Sequence, residues 1–290
     1  MMSMRKLREF IIEKLVLLCG VASIFFVVLI FLFLLKEGLA VFASVSPSAF
    51  LLGRSWYPIS EPPQLGIFPL ILGSLVVTVG AAIISIPFGV GCAIYIAEIA
   101  PKRLKEILKA GIELLAAIPS VVLGFIGMVT LVPFVKNVFH LPTGLTALSG
   151  SIMLAFMAMP TIVSIAEDAL YSVPKTFKEG ALAMGATHWQ AIWRVMLRAA
   201  SGGILAAIML GIGRVIGETM AVMMITGNAA IIPHSFFVPV RTLTATIAAE
   251  MGEAVIGSEH YFALFAIGIV LFVISFAVNV TADLFLHKRH

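Results

Sequence analysis

The sequence predicts an all-α integral membrane protein with six transmembrane helices, and three observations predict it. Of its 290 residues, 61% are hydrophobic and only 12% charged, with a mean hydropathy of +1.11; a soluble domain carries about 25% charge and about 45–50% apolar residues. Uncharged intervals long enough to cross a bilayer recur along the chain. Basic residues fall unevenly between the segments that join them. Together these exclude a soluble enzyme and a disordered chain. They also exclude an outer-membrane barrel, whose strands alternate polar and apolar residues and hold no long apolar run.

A spanning helix needs about 20 apolar residues. The first span lies between Lys14 and Lys36, which enclose 21 uncharged residues. That core exceeds the roughly 7–15 apolar residues of a cleaved signal, although Val41 and Ala43 form a small-residue pattern that permits cleavage. The loop that follows, with Trp56, Tyr57, Pro58, Pro62 and Pro63, suits the membrane interface. Glu61 to Glu98 enclose 36 residues, Glu113 to Lys136 enclose 22, Lys136 to Glu167 enclose 30 and Glu259 to Asp283 enclose 23. These give spans two, three, four and six. Span five is read from Ala199 to Ile232, with Arg214 and Glu218 inside it.

Pro87, Pro119 and Pro160 fall inside spans, where a missing N–H kinks the helix. Glu167 and Asp168 end span four, and Glu113 stands near the start of span three; all three read as solvated acids. Glu250, Glu253 and Glu259, in the long loop from Ala229 to Glu259, read the same way. Cys19 and Cys92 sit in apolar runs and read as packed thiols. The chain divides into residues 1–64, holding the first span and its loop, and residues 65–290, a five-helix core with a polar loop at 172–198.

Orientation follows from the basic residues, which concentrate on the cytoplasmic side. With the N-terminus inside, Arg5, Lys6, Arg8, Lys14, Lys102, Arg103, Lys105, Lys109, Lys175, Lys178, Arg194, Arg198, Lys288 and Arg289 are cytoplasmic, 14 in all. Only 4, Lys36, Arg54, Lys136 and Arg241, fall outside. Both termini are therefore expected in the cytoplasm.

No Gly-x-x-x-x-Gly-Lys-Ser/Thr loop, His-Glu-x-x-His, Cys-x-x-Cys or Gly-x-Ser-x-Gly is present. Six scattered histidines suggest no metal site. The chain is expected to be neither an enzyme nor a cofactor protein and not to bind nucleic acid. Any uphill movement of a solute then draws its energy from a partner or an ion gradient.

The loop at 172–198 reads as helix, tight turn, helix. Pro174 suits a first turn, residues 175–183 form helix well, and Gly185 takes the positive φ that ends it. Thr187 with Gln190 makes a capping box for the next helix. A plain helical connector reads the same way. Glu179-Gly180-Ala181, then Gly185, then Val195-Met196-Leu197 resemble, at the same spacing, the loop motif of ATP-binding-cassette importer permeases. Gly180, Val195 and Arg198 depart from it; Arg198, where the motif has proline, is expected to let the helix run straight into span five. The resemblance implies that Glu179, Gly180, Ala181 and Gly185 belong to a coupling helix docked on an ATPase subunit.

In span five, Arg214 and Glu218 are four residues apart, on one face of a continuous helix and within reach of each other. An Arg at a helix centre costs about 2.5–3.5 kcal/mol on insertion scales. Two readings stand: an ion pair that locks two helices, and an anion site in a water-accessible path, where the planar guanidinium can grip an oxyanion. Glu218 then either holds Arg214 when no anion is present or accepts a proton. Gly213 and Gly217 offer a Gly-x-x-x-Gly spacing for close packing. Thr219 and Asn228 are weaker candidates for the same path.

The run from Gly213 to Val222 with Gly227-Asn228, together with Ile112 to Val121, resembles the PstC-type permease of phosphate-specific importers, and the likeness covers most of residues 65–285. The resemblance implies a type I importer permease in the bacterial inner membrane and a substrate path through Arg214 and Glu218. It also implies a PstA-type second permease, a PstB-type ATPase dimer and a PstS-type periplasmic phosphate-binding protein. A related importer of another oxyanion and a gradient-driven anion transporter remain the alternatives.

Overall fold

The computed structural model describes residues 4–287, and of residues 4–7, 282, 283 and 285–287 only the backbone. The side chains of Arg5 and Lys6, and all of Lys288 and Arg289, lie outside the described residues. Helix α1, Met4–Leu39, is about 54 Å long at about 1.5 Å per residue. A short helix α2, Pro47–Leu52, and a two-stranded antiparallel hairpin, β1 (Trp56–Tyr57) and β2 (Gln64–Leu65), follow it. Helix α3, Phe68–Ile94, continues through a π turn, Tyr95–Ile99. Helix α4, Lys102–Ala117, buries no residue. Helices α5 (Ser120–Ile126) and α6 (Val132–Val138) are joined by a π turn into a single span. Helix α7, Ala147–Tyr171, is the most deeply buried span.

Helix α8, Lys175–Ala183, leads through a turn to α9 (His188–Gln190), a π segment Ala191–Met196 and α10 (Leu197–Ala199). Then come α11 (Ser201–Gly217), α12 (Met220–Ile225), α13 (Leu243–Glu250) and α14 (Glu259–His287). Among the described residues, five helical stretches are long and apolar enough to cross a membrane. A bent pair, His188–Ala199 and Ser201–Gly217, meets at 71° in the place of span five and brings the number to six if it counts as one span. The bend corrects the expectation that Arg198 carries the helix straight into span five.

The core is α3, α7 and α11. Between apolar helices in lipid, close packing rather than the hydrophobic effect holds the bundle together. Ile162 of α7 shows how: a Cβ on Gly89 would lie 2.8 Å from it and one on Gly211 2.4 Å. Only glycine lets both neighbouring helices approach. Helix α1 packs mainly against α14, with Phe31 on Phe272 and Phe33 on Phe265. Most of its apolar surface is left uncovered, as expected of a helix that faces lipid.

Several local expectations change. Pro87 and Pro160 lie inside α3 and α7, but Pro119 stands between α4 and α5 and separates two helices. The run from Ile112 to Val121 is therefore a junction rather than part of one span. Cys19 and Cys92 are free but exposed, not packed. Glu113 is exposed as expected, whereas Glu167 is only 3% exposed. Lys105 lies 2.8 Å from its Oε1 and Lys109 2.9 Å from its Oε2. The burial of Glu167 is thus matched by two cations, which tie α4 to α7. Asp168 stays exposed, 3.3 Å from Lys109.

Candidate functional site

Two regions hold most of the residues that the sequence singles out, and Asn228 lies in a third. The first is the break after α11. Glu218 has φ −69° and ψ 132°, an extended conformation, so the helix stops at Gly217 and restarts at Met220. Arg214 and Glu218 therefore do not share a helix face, and no hydrogen bond or ion pair joins them among the described residues. This corrects the predicted pair. The Glu218 carboxylate turns forward and accepts from the Ala221 N–H at 3.3 Å, so that it satisfies a free donor in the first turn of α12 from the position before its N-cap, Thr219. The Glu218 carbonyl accepts from the Thr244 hydroxyl of α13 at 2.9 Å.

Arg214 turns the other way. Its Nη1 donates to Thr161 Oγ1 of α7 at 3.2 Å, and the residue is otherwise exposed. A guanidinium has five N–H donors in a planar fork, so most remain available to an anion. Thr219 donates to the Gly217 carbonyl at 3.2 Å, bonding its own backbone. A Cβ on Gly213 or Gly217 would meet nothing, so the Gly-x-x-x-Gly spacing makes no close contact within this chain; that role falls to Gly211.

Asn228 belongs to a different site. It has φ 48°, follows Gly227 at φ 81°, and its carbonyl accepts from Arg241 Nε at 3.1 Å. With Trp56, Arg241, Glu250 and His260 it lines a cavity of about 720 Å³ at the hairpin end of the bundle. Its Oδ1 is enclosed without a hydrogen-bond partner. Glu250, expected to be a solvated loop acid, is the centre of this cluster. It pairs with Arg241, lies 2.9 Å from His260 Nε2, and accepts from the Trp56 indole N–H at 3.0 and 3.2 Å. Nothing in the local spacing announces that contact, because the hairpin lies 194 residues from Glu250.

The second region is the loop at the end of the bundle that carries Lys105, Lys109 and Lys178. Pro174 precedes α8, and α8 spans the predicted residues 175–183. Gly185, at φ 83°, donates to the Leu182 carbonyl, and Ala186 to that of Ala181. This is the paired C-terminal closure that needs a left-handed residue. Both halves of the Thr187–Gln190 capping box form, at 2.9 and 3.2 Å. Glu179, Gly180 and Gly185 are exposed, Ala181 is half-buried, and α8 buries no residue. Trp189 and Trp193 stack beside it, 6.0 Å apart and more than half exposed. The loop therefore presents a preformed surface, held by local bonds. Among the described residues, no group of three or more histidine, cysteine or acidic side chains is placed to hold a metal.

Residues 85–289 match the family described as the binding-protein-dependent transport system inner membrane component. A probable ABC transporter permease protein, YqgH, of Bacillus subtilis (strain 168) is 42% identical, over 94% of this chain and 89% of that one. The phosphate transport system permease protein PstC of Mesorhizobium japonicum is 36% identical, over 79% of this chain and 75% of its own. That of Haemophilus influenzae is 35% identical, over 83% and 81%. Among solved structures, a bacterial alginate ABC transporter in complex with an alginate-bound periplasmic protein aligns with a TM-score of 0.67 over 95% of this chain and 93% of that one, at 13% identity. The inward-facing MetNI methionine ABC transporter aligns with 0.61 over 79% and 99%, at 20% identity. At such identities these structures bear on the fold alone.

Proposed function

The chain belongs to the family of binding-protein-dependent transport system inner membrane components, and from that premise we propose that it is the PstC-type permease subunit of an ATP-driven phosphate importer. The observation that carries the substrate is the likeness to permeases named for phosphate transport, which extends over 79% and 83% of this chain. The exposed guanidinium of Arg214, free of any carboxylate partner among the described residues, agrees with an anion as cargo. It offers donors and charge where an oxyanion leaves water. Thr161 orients that guanidinium. Glu218 holds the turn that follows, through the Ala221 amide. Thr219 sits at the same turn, and Asn228 lies farther along, at the hairpin end.

The partners follow from the family's plan: a PstA-type permease across the path, a PstB-type ATPase dimer at the basic end and a PstS-type binding protein at the hairpin end. The basic end, with α4, α8 and both termini, is assigned to the cytoplasm on the 14 to 4 division of basic residues. Glu179, Gly180 and Ala181 of α8, with the Gly185 turn, are assigned to docking on the ATPase.

The test is reconstitution of the complex purified from native membranes. ATP-dependent, vanadate-sensitive uptake of phosphate is expected, with an ATPase subunit co-purifying. Uptake driven by an ion gradient alone would overturn the reading. Cysteines at the exposed positions 57, 140 and 255 are expected to react with an impermeant reagent from outside, and those at 105 and 180 are not. The reverse pattern would overturn the orientation.

A further inference from the structure

The α8 surface raises a mechanical question: how does a helix that buries nothing transmit force? Its backbone contacts are local, and it rests on the π segment that follows it. Among the described residues, a single side-chain hydrogen bond links α8 to a membrane-spanning helix. Lys178 Nζ lies 2.5 Å from Glu98 Oε2, with the side chains 26% and 9% exposed. Glu98 sits in the π turn that ends α3. The Glu98 carboxylate and the Lys178 ammonium line a cavity of about 330 Å³ between α8, α3 and α7, together with Tyr171, Leu182 and Met196. A gap of that size leaves little van der Waals contact to carry a displacement. An ion pair that is largely withdrawn from water resists stretching because its attraction is little screened, and resists compression because its two groups are already in contact.

The other end of α3 is also tied. Ser74 Oγ accepts from the Leu243 N–H of α13 at 3.0 Å, and a Cβ on Gly73 would lie 2.4 Å from the Arg241 carbonyl oxygen. Arg241 and α13 belong to the Glu250 cluster. Helix α3 therefore runs from Glu98 at the basic end to the Arg241–Glu250 cluster at the hairpin end. We propose that Lys178 and Glu98 form the strut that couples movement of α8 to α3, and through α3 to the Arg241–Glu250 cluster. They are positioning residues: neither lies at Arg214, and neither belongs to the loop motif. The inference rests on the assignment of α8 as the ATPase-docking helix.

The complete complex in proteoliposomes tests it. Three quantities are measured for each variant: the amount of ATPase subunit retained, basal ATP hydrolysis, and the stimulation of hydrolysis by loaded binding protein on the opposite side. Glu98→Gln and Lys178→Met are expected to keep the ATPase subunit and basal hydrolysis, while stimulation falls about fivefold or more. Lys178→Arg, which keeps charge and reach, is expected to stay near wild type. The exchange Glu98→Lys with Lys178→Glu is expected to recover at least half of the stimulation. Full stimulation in both single variants would overturn the strut. So would loss of the ATPase subunit in both, because the pair would then serve docking only. If the exchange variant fails to fold, the contrast between Lys178→Arg and Lys178→Met still decides. A wild-type complex that is stimulated by its binding protein but refuses phosphate would overturn the substrate reading alone and leave the strut standing.

Discussion

The turn between α8 and α9 and the break between α11 and α12 both interrupt helices, but only the second adds distant partners to its local hydrogen bonds. In the first, Gly185, Ala186, Thr187 and Gln190 find every partner within five residues. In the second, the Glu218 carbonyl depends on Thr244, 26 residues away, and Arg214 on Thr161, 53 residues away. A locally bonded turn keeps its shape when its surroundings move, which suits a surface that is pushed. A break held by neighbouring helices changes when they shift, which suits a site that opens and closes.

Substitutions can break or sharpen that contrast, and the largest effect is expected at Arg214. Arg214→Gln is expected to lower transport about 10- to 100-fold, the equivalent of about 1.5–3 kcal/mol for a lost charged hydrogen bond. The unfolding temperature of the solubilised subunit should barely change, because Arg214 is exposed and no carboxylate is left unpaired by its loss. Arg214→Lys is expected to retain partial activity. A stable, assembled Arg214→Gln subunit that transports at the normal rate would end the site assignment.

Gly185→Val comes next. A β-branched residue at φ 83° is strained by about 1–3 kcal/mol. Transport-linked ATP hydrolysis should fall while the subunit stays in the membrane. Gly185→Asn, which tolerates the left-handed region, should lie between the two. Wild-type coupling in the valine variant would show that the turn angle is immaterial.

Glu218 separates structure from transport. Glu218→Ala removes the acceptor for the Ala221 N–H and should cost about 0.5–2 kcal/mol in thermal unfolding, the usual loss for a side-chain acceptor at a helix N-terminus. Glu218→Gln keeps an oxygen there and should keep most of that stability. If the Gln variant is stable but inactive, the charge or a proton on Glu218 takes part in transport. If it is stable and active, Glu218 serves the turn only.

The smallest effect is expected at Lys109. Hydrogen bonding to Glu167, opposed by partial burial and aided by the charges of Glu167 and Asp168, raises the Lys109 pKa above its usual 10.5. A raised cation contributes fully below its ordinary pKa and is lost as the pH climbs through the raised value. The stability difference between wild type and Lys109→Met should therefore be flat from about pH 6 to 9 and narrow only in stronger alkali. A difference that already shrinks between pH 6 and 8 would contradict the Glu167 contact.

The sequence by itself determined what depends on near neighbours. Bilayer-length apolar intervals placed the spans, because water and lipid sort side chains without regard to the fold. Gly185 and the Thr187–Gln190 box were legible because their hydrogen bonds close within one turn or so of the chain. The tertiary structure decided the rest. A spacing of four residues implies contact only while the helix continues, and α11 stops at Gly217, where Glu218 instead accepts from the Ala221 N–H of α12 and its carbonyl meets Thr244. Glu167 and Glu250 looked like solvated acids because their partners come from other elements: Lys105 and Lys109 from α4, and Trp56 from the hairpin with His260 from α14. A buried charge needs a partner, but the chain can bring that partner from any distance along the sequence, and only the packed fold shows which one it is.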